Sequence, residues 1–281
     1  MKYKMILVDM DGTLLDDEKN ISEENVEVFK HLQEKGMIIG IATGRRFSFA
    51  KPVLERYGLK AVYFSNNGNA TWEMESDDLI DSTTIRKEHF LDILSMGHDM
   101  GMHPVVHANY EGYELICEFD HTYEGYNGYI SKNTTRLLAN QDLASLPDSL
   151  VMIMCYTGKL EQVKQLQNRI EEKYPQEIHT HITMSLTRIG PLLEVSEIEG
   201  TKWHAALKYA TDRGIKPEEI IAIGDDSNDM EMIENAGLGI AMKNAIDAAK
   251  SKADLIAEFD NNRSGVARAL KNVFGDDLSK I

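Results

Sequence analysis

A doubly wound α/β fold interrupted by an inserted α+β domain is predicted, and three observations predict it. Short apolar runs of strand length, Met5–Val8, Met37–Ala42 and Ala61–Phe64, alternate with segments of helical spacing. The same alternation resumes in the last third, with strands at Ile220–Ile223 and Leu238–Ala241. Between the two, from roughly Thr84 to Arg188, the texture changes: this stretch holds seven of the nine histidines and seven of the eleven tyrosines. Repeated β-α-β units imply parallel strands with right-handed crossovers. The expectation is therefore a Rossmann-like parallel sheet with helices on both faces, built from residues 1–83 and 189–281, with residues 84–188 inserted as a second domain.

The elements follow in order. Met5–Val8 ends in an acidic, glycine-containing turn. Ser22 is a natural N-cap, with Glu23 and Glu24 on the positive end of the helix dipole. Val26, Phe29 and Leu32 recur at helical spacing until Gly36. The continuous apolar run Met37–Ala42 suits a strand covered on both faces. Phe49–Tyr57 reads as helix with Gly58 as its stop, and Ala61–Phe64 as a third strand. In the middle, Glu88–Met100 and Lys159–Lys173 read as helices, and Val105–Ala108, Tyr113–Phe119, Val151–Tyr156 and Ile178–Leu186 as strands. Later helices are expected from Thr201 to Arg213, around Met230–Asn235, and at Ala245–Ser251 and Gly265–Val273. The polar junctions near Asp81–Thr84 and Thr187–Gly190 suit hinges between domains.

Composition excludes several function classes. The 281 residues carry 30 Lys+Arg against 46 Asp+Glu, a net charge of -16. Such a chain is a poor general binder of nucleic acid or anionic membrane. Cys117 and Cys155 are too few for a disulfide framework or a cysteine zinc site, and free thiols suit a reducing compartment. The apolar run at the start stops at Asp9, too short for a signal peptide, and no stretch reaches the length of a membrane span. The expected location is the cytoplasm.

Chemistry gathers at the strand ends, where open parallel sheets place their sites. Asp9 and Asp11 follow the first strand two positions apart, read either as an acidic turn or as a cation site. Carboxylates this close repel unless a proton or a cation intervenes, which favours a hard ion such as Mg²⁺. Gly224-Asp225-Asp226-Ser227-Asn228-Asp229 follows a second buried strand. A helix cap at Ser227 or Asn228 accounts for one or two of its acids, but not for three in five residues. Thr43 and Gly44 end the Met37–Ala42 strand, as a plain βα turn or as donors to an anion. Lys202 opens a helix, where its charge opposes the dipole; it is either a solvated lysine or one held at an anion site. Ser65-Asn66-Asn67-Gly68 is turn chemistry that could also line the same rim.

In this order and at these strand ends, the residues resemble the haloacid dehalogenase superfamily. More narrowly they resemble its Cof-type phosphatases, which carry a large type II (C2) cap inserted after the third core strand. The resemblance covers the whole chain. It rests on D-x-D-G-T-L at Asp9 to Leu14, T-G-R at Thr43 to Arg45, the lysine Lys202, and G-D-x-x-N-D at Gly224, Asp225, Asn228 and Asp229. Ala241–Ala245 and Asp260–Val266 also look like that branch.

The resemblance implies a Mg²⁺-dependent phosphomonoesterase acting on small phosphorylated metabolites, sugar phosphates above all. Asp9 would attack phosphorus and form an aspartyl-phosphate; Asp11 would protonate the leaving oxygen and then activate water. Asp9, the Asp11 backbone carbonyl and Asp225 would hold Mg²⁺, with Asp229 behind them. Thr43, Gly44, Lys202, Asn228 and the backbone near Met10 would hold the phosphoryl oxygens. Elementary electrostatics agrees: two unit charges 4 Å apart interact by about 4 kcal/mol at an effective dielectric of 20, so a carboxylate needs cations before it can approach a phosphate dianion. The inserted domain would act as a cap that selects the leaving group, with Tyr110, Tyr113, Tyr123, Tyr126 and Tyr129 as candidate contacts, although most such tyrosines pack a domain's own core. His103 with His107, and His179 with His181, have spacings open to metal but are more simply core or surface residues. Phosphoryl transfer to a second hydroxyl, as in the mutases of this superfamily, is the alternative enzyme class, and a non-catalytic metabolite sensor the alternative outside catalysis.

Overall fold

A computed structural model of the 281-residue chain describes residues 2–73, 76–120, 136–184, 190–275 and 278. It divides into two compact units, Met1–Ser82 with Thr201–Ile281, and Thr83–Gly200. Numbered along the chain, the first unit begins with β1 (Met5–Asp9), α1 (Glu23–Glu34), β2 (Ile38–Ala42), α2 (Phe47–Glu55), β3 (Val62–Ser65), β4 (Ala70–Glu73) and β5 (Leu79–Ser82). The second unit holds α3 (Lys87–Asp99), β6 (Val105–Tyr110), β7 (Tyr113–Cys117), β8 (Leu137–Leu138), β9 (Val151–Thr157), α4 (Leu160–Lys173), β10 (Ile178–Thr183) and β11 (Leu192–Glu197). The first unit resumes with α5 (Lys202–Thr211), β12 (Ile220–Gly224), α6 (Met230–Asn235), β13 (Leu238–Ala241), α7 (Asp247–Lys252), β14 (Leu255–Ile256) and α8 (Gly265–Phe274).

The first unit is an α/β sandwich around an eight-stranded sheet in the order β14-β13-β12-β1-β2-β3-β4-β5. Six neighbouring strands are parallel, and β4 and β5 add an antiparallel edge. The period of two along a strand is visible in how the cores divide. Ile6, Val8, Ile39, Ile41, Ile221 and Ile223 pack with α1, α2, α7 and α8 on one face. Met5, Leu7, Ile220 and Ala222 pack with Trp203, Ala206 and Tyr209 of α5 on the other. Both faces are therefore covered, which is why the strands read as unbroken apolar runs rather than alternating ones.

The second unit is a six-stranded sheet in the order β10-β11-β9-β6-β7-β8. One face packs against Phe90, Ile93 and Leu94 of α3 and Val163, Leu166 and Ile170 of α4. Val105, Leu115, Cys117 and Leu137 form a smaller cluster. This unit returns to the first later than the expected junction between residues 188 and 189. The strand β11 pairs antiparallel with β9 and β10, and Leu193 and Val195 are buried in this unit's core, so the division falls after Gly200. The junction at Thr187–Ile189, the strand end at Ser185–Leu186, and Tyr123, Tyr126 and Tyr129 lie outside the described residues. Tyr110 packs against the unit's own core. Among the described residues, no helix is long and apolar enough to cross a membrane.

Element types match the sequence reading along most of the chain, with shifts of a few residues at the ends. Ser22 caps α1 as expected, accepting from the Asn25 amide at 3.2 Å. The strands β4, β5, β8 and β14 are short pieces of two to four residues with little periodicity of their own.

One buried amide ties three parts of the first unit together. Asn25, 1% exposed, donates from Nδ2 to Leu14 O at 3.3 Å and accepts at Oδ1 from the Ala267 amide at 2.8 Å. Asn25→Ala leaves a buried N–H and a buried C=O without their partners. Destabilisation of about 2 kcal/mol is expected, read as a lower urea midpoint at unchanged slope.

Candidate active site

Parallel pairing of β1 with β12 sets Val8 opposite Ile223, so both strands end at one level, with Asp9 and Gly224 next in line. The loops that follow turn toward each other. As a result, carboxylate oxygens of Asp9, Asp225 and Asp229 lie within 4.8 Å of one another. Two acidic segments more than two hundred residues apart in the chain thus form one cluster.

Lys202 stands in the middle of it. Its Nζ donates to Asp9 Oδ1 and to Asp229 Oδ1, both at 2.7 Å, and it is 1% exposed. Burial works against its charge, but the charges of Asp229 and Asp9 outweigh burial and hold the ammonium well above its ordinary pKa. Thr201 caps α5 by accepting from the His204 amide at 3.2 Å, which fixes Lys202 as the first helical residue. Gly68 lets the β3–β4 turn approach that point. Its φ is +91°, and a Cβ there would lie 2.1 Å from Thr201 O.

Asp229 is fully buried, and its Oδ2 accepts from the amides of Asp225 at 2.9 Å and Asp226 at 3.1 Å. Asp226, rather than Ser227 or Asn228, caps the turn leading to α6 by accepting from the Ser227 amide. Asp225 accepts from Thr13 Oγ1 at 2.6 Å. Burial, with the charges of Asp229 and Asp226 beside it, pushes its carboxyl up to about 6 despite the Thr13 bond and Lys202. Burial likewise raises Asp9 well above the usual carboxylate range; Lys202 opposes this, and Asp229 and Asp225 add to it. The loop carrying Asp11 passes so close to Asp225 that only glycine fits at position 12. Its φ is +83°, and a Cβ would lie 2.4 Å from Asp225 Oδ2. Asn244 pins the same loop by donating to Gly12 O at 2.7 Å.

Asp11 stands apart from the three-carboxylate cluster. Arg45 grips it with a two-pronged contact, Nε to Oδ2 and Nη2 to Oδ1 at 2.6 Å each, and Lys19 Nζ adds a bond to Oδ1 at 2.8 Å. Burial works to raise its pKa, but the bonds and charges of Arg45 and Lys19 outweigh burial and lower it. Arg45 and Lys19 are thus the charged groups that set the Asp11 carboxyl here.

The remaining expected residues lie on the rim or beneath it. Thr43, 1% exposed, accepts at Oγ1 from the Arg45 amide at 3.1 Å, the turn-forming use of its hydroxyl. Gly44 lies against Asn67: a Cβ there would be 3.2 Å from Asn67 Oδ1. Asn67 also accepts from Asn228 Nδ2 at 3.0 Å, and its amide donates to Thr43 O at 2.9 Å, so the Ser65–Gly68 segment is both a turn and part of this rim. The Met10 side chain is buried in the apolar core. Sequence reasoning missed Lys19, Thr13, Asn244, Arg45 as the partner of Asp11, and Asn67 as a contact of Asn228. Thr13, Arg45 and Asn244 sit inside quoted motifs and were findable there; Lys19 carries no local signal.

The donor set suits a hard divalent cation. Three carboxylates and one ammonium leave two negative charges in a buried pocket of oxygen ligands. Burial raises the carboxyls of Asp9 and Asp225, and the charges of their acidic neighbours add to it.

Residues 6–270 match the haloacid dehalogenase-like hydrolase family. The chain belongs to this family. It is 26% identical over 270 residues to the 5-amino-6-(5-phospho-D-ribitylamino)uracil phosphatase YcsE of Bacillus subtilis, covering 96% of this chain and 95% of that one. It is 27% identical over 251 residues to the HMP-PP phosphatase of Serratia proteamaculans, covering 89% of this chain and 87% of that one. In fold it is similar to a haloacid dehalogenase-like hydrolase from Bacteroides thetaiotaomicron, with a TM-score of 0.78 at 24% identity over 97% of this chain and 100% of that one. The hydrolase class expected from the motifs is that of the family, and these relatives are phosphatases of phosphorylated small molecules.

Two outcomes follow from the electrostatics. In metal-free protein, Lys202→Met leaves Asp9 and Asp229 buried without their cation, at a cost of about 3–5 kcal/mol in urea unfolding. Any divalent ion held through Asp225 should lose affinity below about pH 6, where protons compete for that carboxyl, and thermal-shift titration with MgCl₂ above and below that pH reads the difference.

Proposed function

We propose that this chain is a Mg²⁺-dependent phosphatase of small phosphorylated metabolites, sugar phosphates foremost, with Asp9 as its nucleophile. The observation that carries the reading is the convergence of Asp9, Asp225 and Asp229 around Lys202 at the ends of β1 and β12. Asp9 and Asp225, with Asp229 and the Asp11 carbonyl, would hold the ion, which when bound neutralises charge on the transferring phosphoryl group.

In this reading Asp9 attacks phosphorus and carries the phosphoryl group as an acyl phosphate, while the leaving alkoxide takes a proton from Asp11. Water then attacks the acyl phosphate, Asp11 accepts its proton, and Asp9 is released as carboxylate. Lys202, donating to Asp9, offsets the repulsion between nucleophile and phosphate dianion. Thr43, Gly44 and Asn228 supply rim donors for the phosphoryl oxygens. Asp11 as held by Arg45 and Lys19 is in the ionised form that the second step needs. The first step needs it protonated, so its grip on these cations has to loosen during turnover. Leaving-group choice is assigned to the unit Thr83–Gly200. The named activities of the relatives, on phosphorylated ribityl and pyrimidine compounds, support a substrate of this size.

Release of phosphate from p-nitrophenyl phosphate, with Mg²⁺ or with chelator, tests the reading. Wild type should turn over only with Mg²⁺, and Asp9→Asn should lose turnover by about 10³-fold or more while keeping its far-ultraviolet circular dichroism. Near-normal turnover of Asp9→Asn would exclude the covalent route. Arg45→Met returns the Asp11 carboxyl toward the ordinary carboxylate value, so the acidic limb of the kcat profile should move to higher pH.

A further inference from the structure

We propose that the second unit carries a metal site of its own, formed by His98, His103 and Glu118, for a borderline divalent ion of the zinc class. The nearest ligand atoms of these three residues lie within 4.8 Å of one another. Both imidazoles aim at one oxygen: His98 Nε2 lies 2.7 Å and His103 Nδ1 3.0 Å from Glu118 Oε2. The rings are 5.0 Å apart and tilted by 44°, so they converge on the carboxylate rather than stack on each other.

The backbone builds this convergence. His98 is in the last turn of α3. The amides of Met100 and Met102 both donate to Gly97 O, and Gly101 takes a φ of +66°, which folds the chain back and brings His103 beside His98. Glu118 directly follows β7, whose last residue, Cys117, is buried in the unit's small apolar cluster. Successive residues of an extended chain alternate sides. The thiol is thereby directed into the core and the carboxylate is left for the histidines. The result is two nitrogen ligands, one in the last turn of α3 and one in the turn after it, and one oxygen ligand just past β7.

The distances decide between a hydrogen-bonded trio and a ligand set. Zinc bonds of 2.0–2.1 Å in tetrahedral array separate neighbouring ligand atoms by about 3.3 Å. The two N···O separations, 2.7 and 3.0 Å, therefore have to open by about 0.6 and 0.3 Å. The side chains of His98 and His103 are 37% and 43% exposed, so both have room to do so. A neutral imidazole binds a metal through its unprotonated nitrogen, so in the bound form each ring is the tautomer with its proton on the far nitrogen, any proton on the facing nitrogen having exchanged there through solvent. Two imidazoles select for zinc, nickel or cobalt over Mg²⁺, which prefers oxygen alone. Three protein ligands leave a fourth position for water or an outside ligand. The site depends neither on the phosphatase reading nor on the carboxylate cluster of the first unit.

Calorimetric titration of the metal-stripped full chain with ZnCl₂, in excess Mg²⁺ to occupy the core carboxylates, tests the site. Wild type should bind one more zinc equivalent than the double variant His98→Ala/His103→Ala, and Glu118→Gln should weaken that equivalent about tenfold or more. Co²⁺ should give the visible absorption of a site with nitrogen ligands in wild type, and none in the double variant. Circular dichroism and Mg²⁺-supported turnover of the variants should match wild type. Equal zinc binding by wild type and double variant, or the absence of zinc binding outside the core, would overturn the proposal.

Discussion

The ammonium of Lys202, wedged between the carboxylates of Asp9 and Asp229, is the interaction on which the first unit's site depends. Three carboxylates with oxygens within 4.8 Å of one another in a largely buried place need cations beside them. One comes from the chain itself, brought in by the first residue of α5. The two negative charges that remain are what a divalent ion neutralises. Stability and chemistry are coupled here: the groups that would carry a phosphoryl group are the ones whose mutual repulsion the fold must hold in check.

The second constraint is the alignment of strand ends. Because β1 and β12 are parallel neighbours in register, their terminal loops start side by side. Everything around them serves close approach: Gly12 against Asp225, Gly68 against Thr201, Asn244 on the Gly12 carbonyl. Asp11, only two residues from Asp9, is drawn outward to Arg45 and Lys19. Neighbouring acids thus sit in opposite fields, Asp9 pushed toward neutrality by burial and Asp11 held ionised by its cations. The proposed first step uses Asp9 ionised and Asp11 protonated, so in that reading a cation beside Asp9 and release of Asp11 from Arg45 and Lys19 reverse the two resting states.

Much of this was legible in the residues themselves. The apolar runs of β1, β2 and β12 announce strands covered on both faces, and the tyrosine- and histidine-rich texture of the middle stretch marks it as a separate unit. Asp9, Asp225 and Asp229 stand out because helix capping cannot use so many acids at two strand ends. Less was legible where pairing rather than pattern decides. Residues 192–197 fall on the core's side of the expected junction, and only their antiparallel pairing with β9 and β10 places them in the second unit. The pairing of His103 with His98 and Glu118 was also hidden, since the spacing that first drew notice was to His107, which is buried in β6.

By itself the sequence determined the parallel α/β class, the strand ends that bear chemistry, and the residue types able to hold an anion and a hard cation. Periodicity and local turn chemistry are short-range properties, and they survive being read along a line. Only the tertiary structure decided that Lys202 bridges Asp9 to Asp229, that Arg45 and Lys19 take Asp11, and that Thr13 and Asn244 brace the loop between. Those choices depend on distances between segments far apart in the chain, set by strand register and packing, which no local pattern encodes.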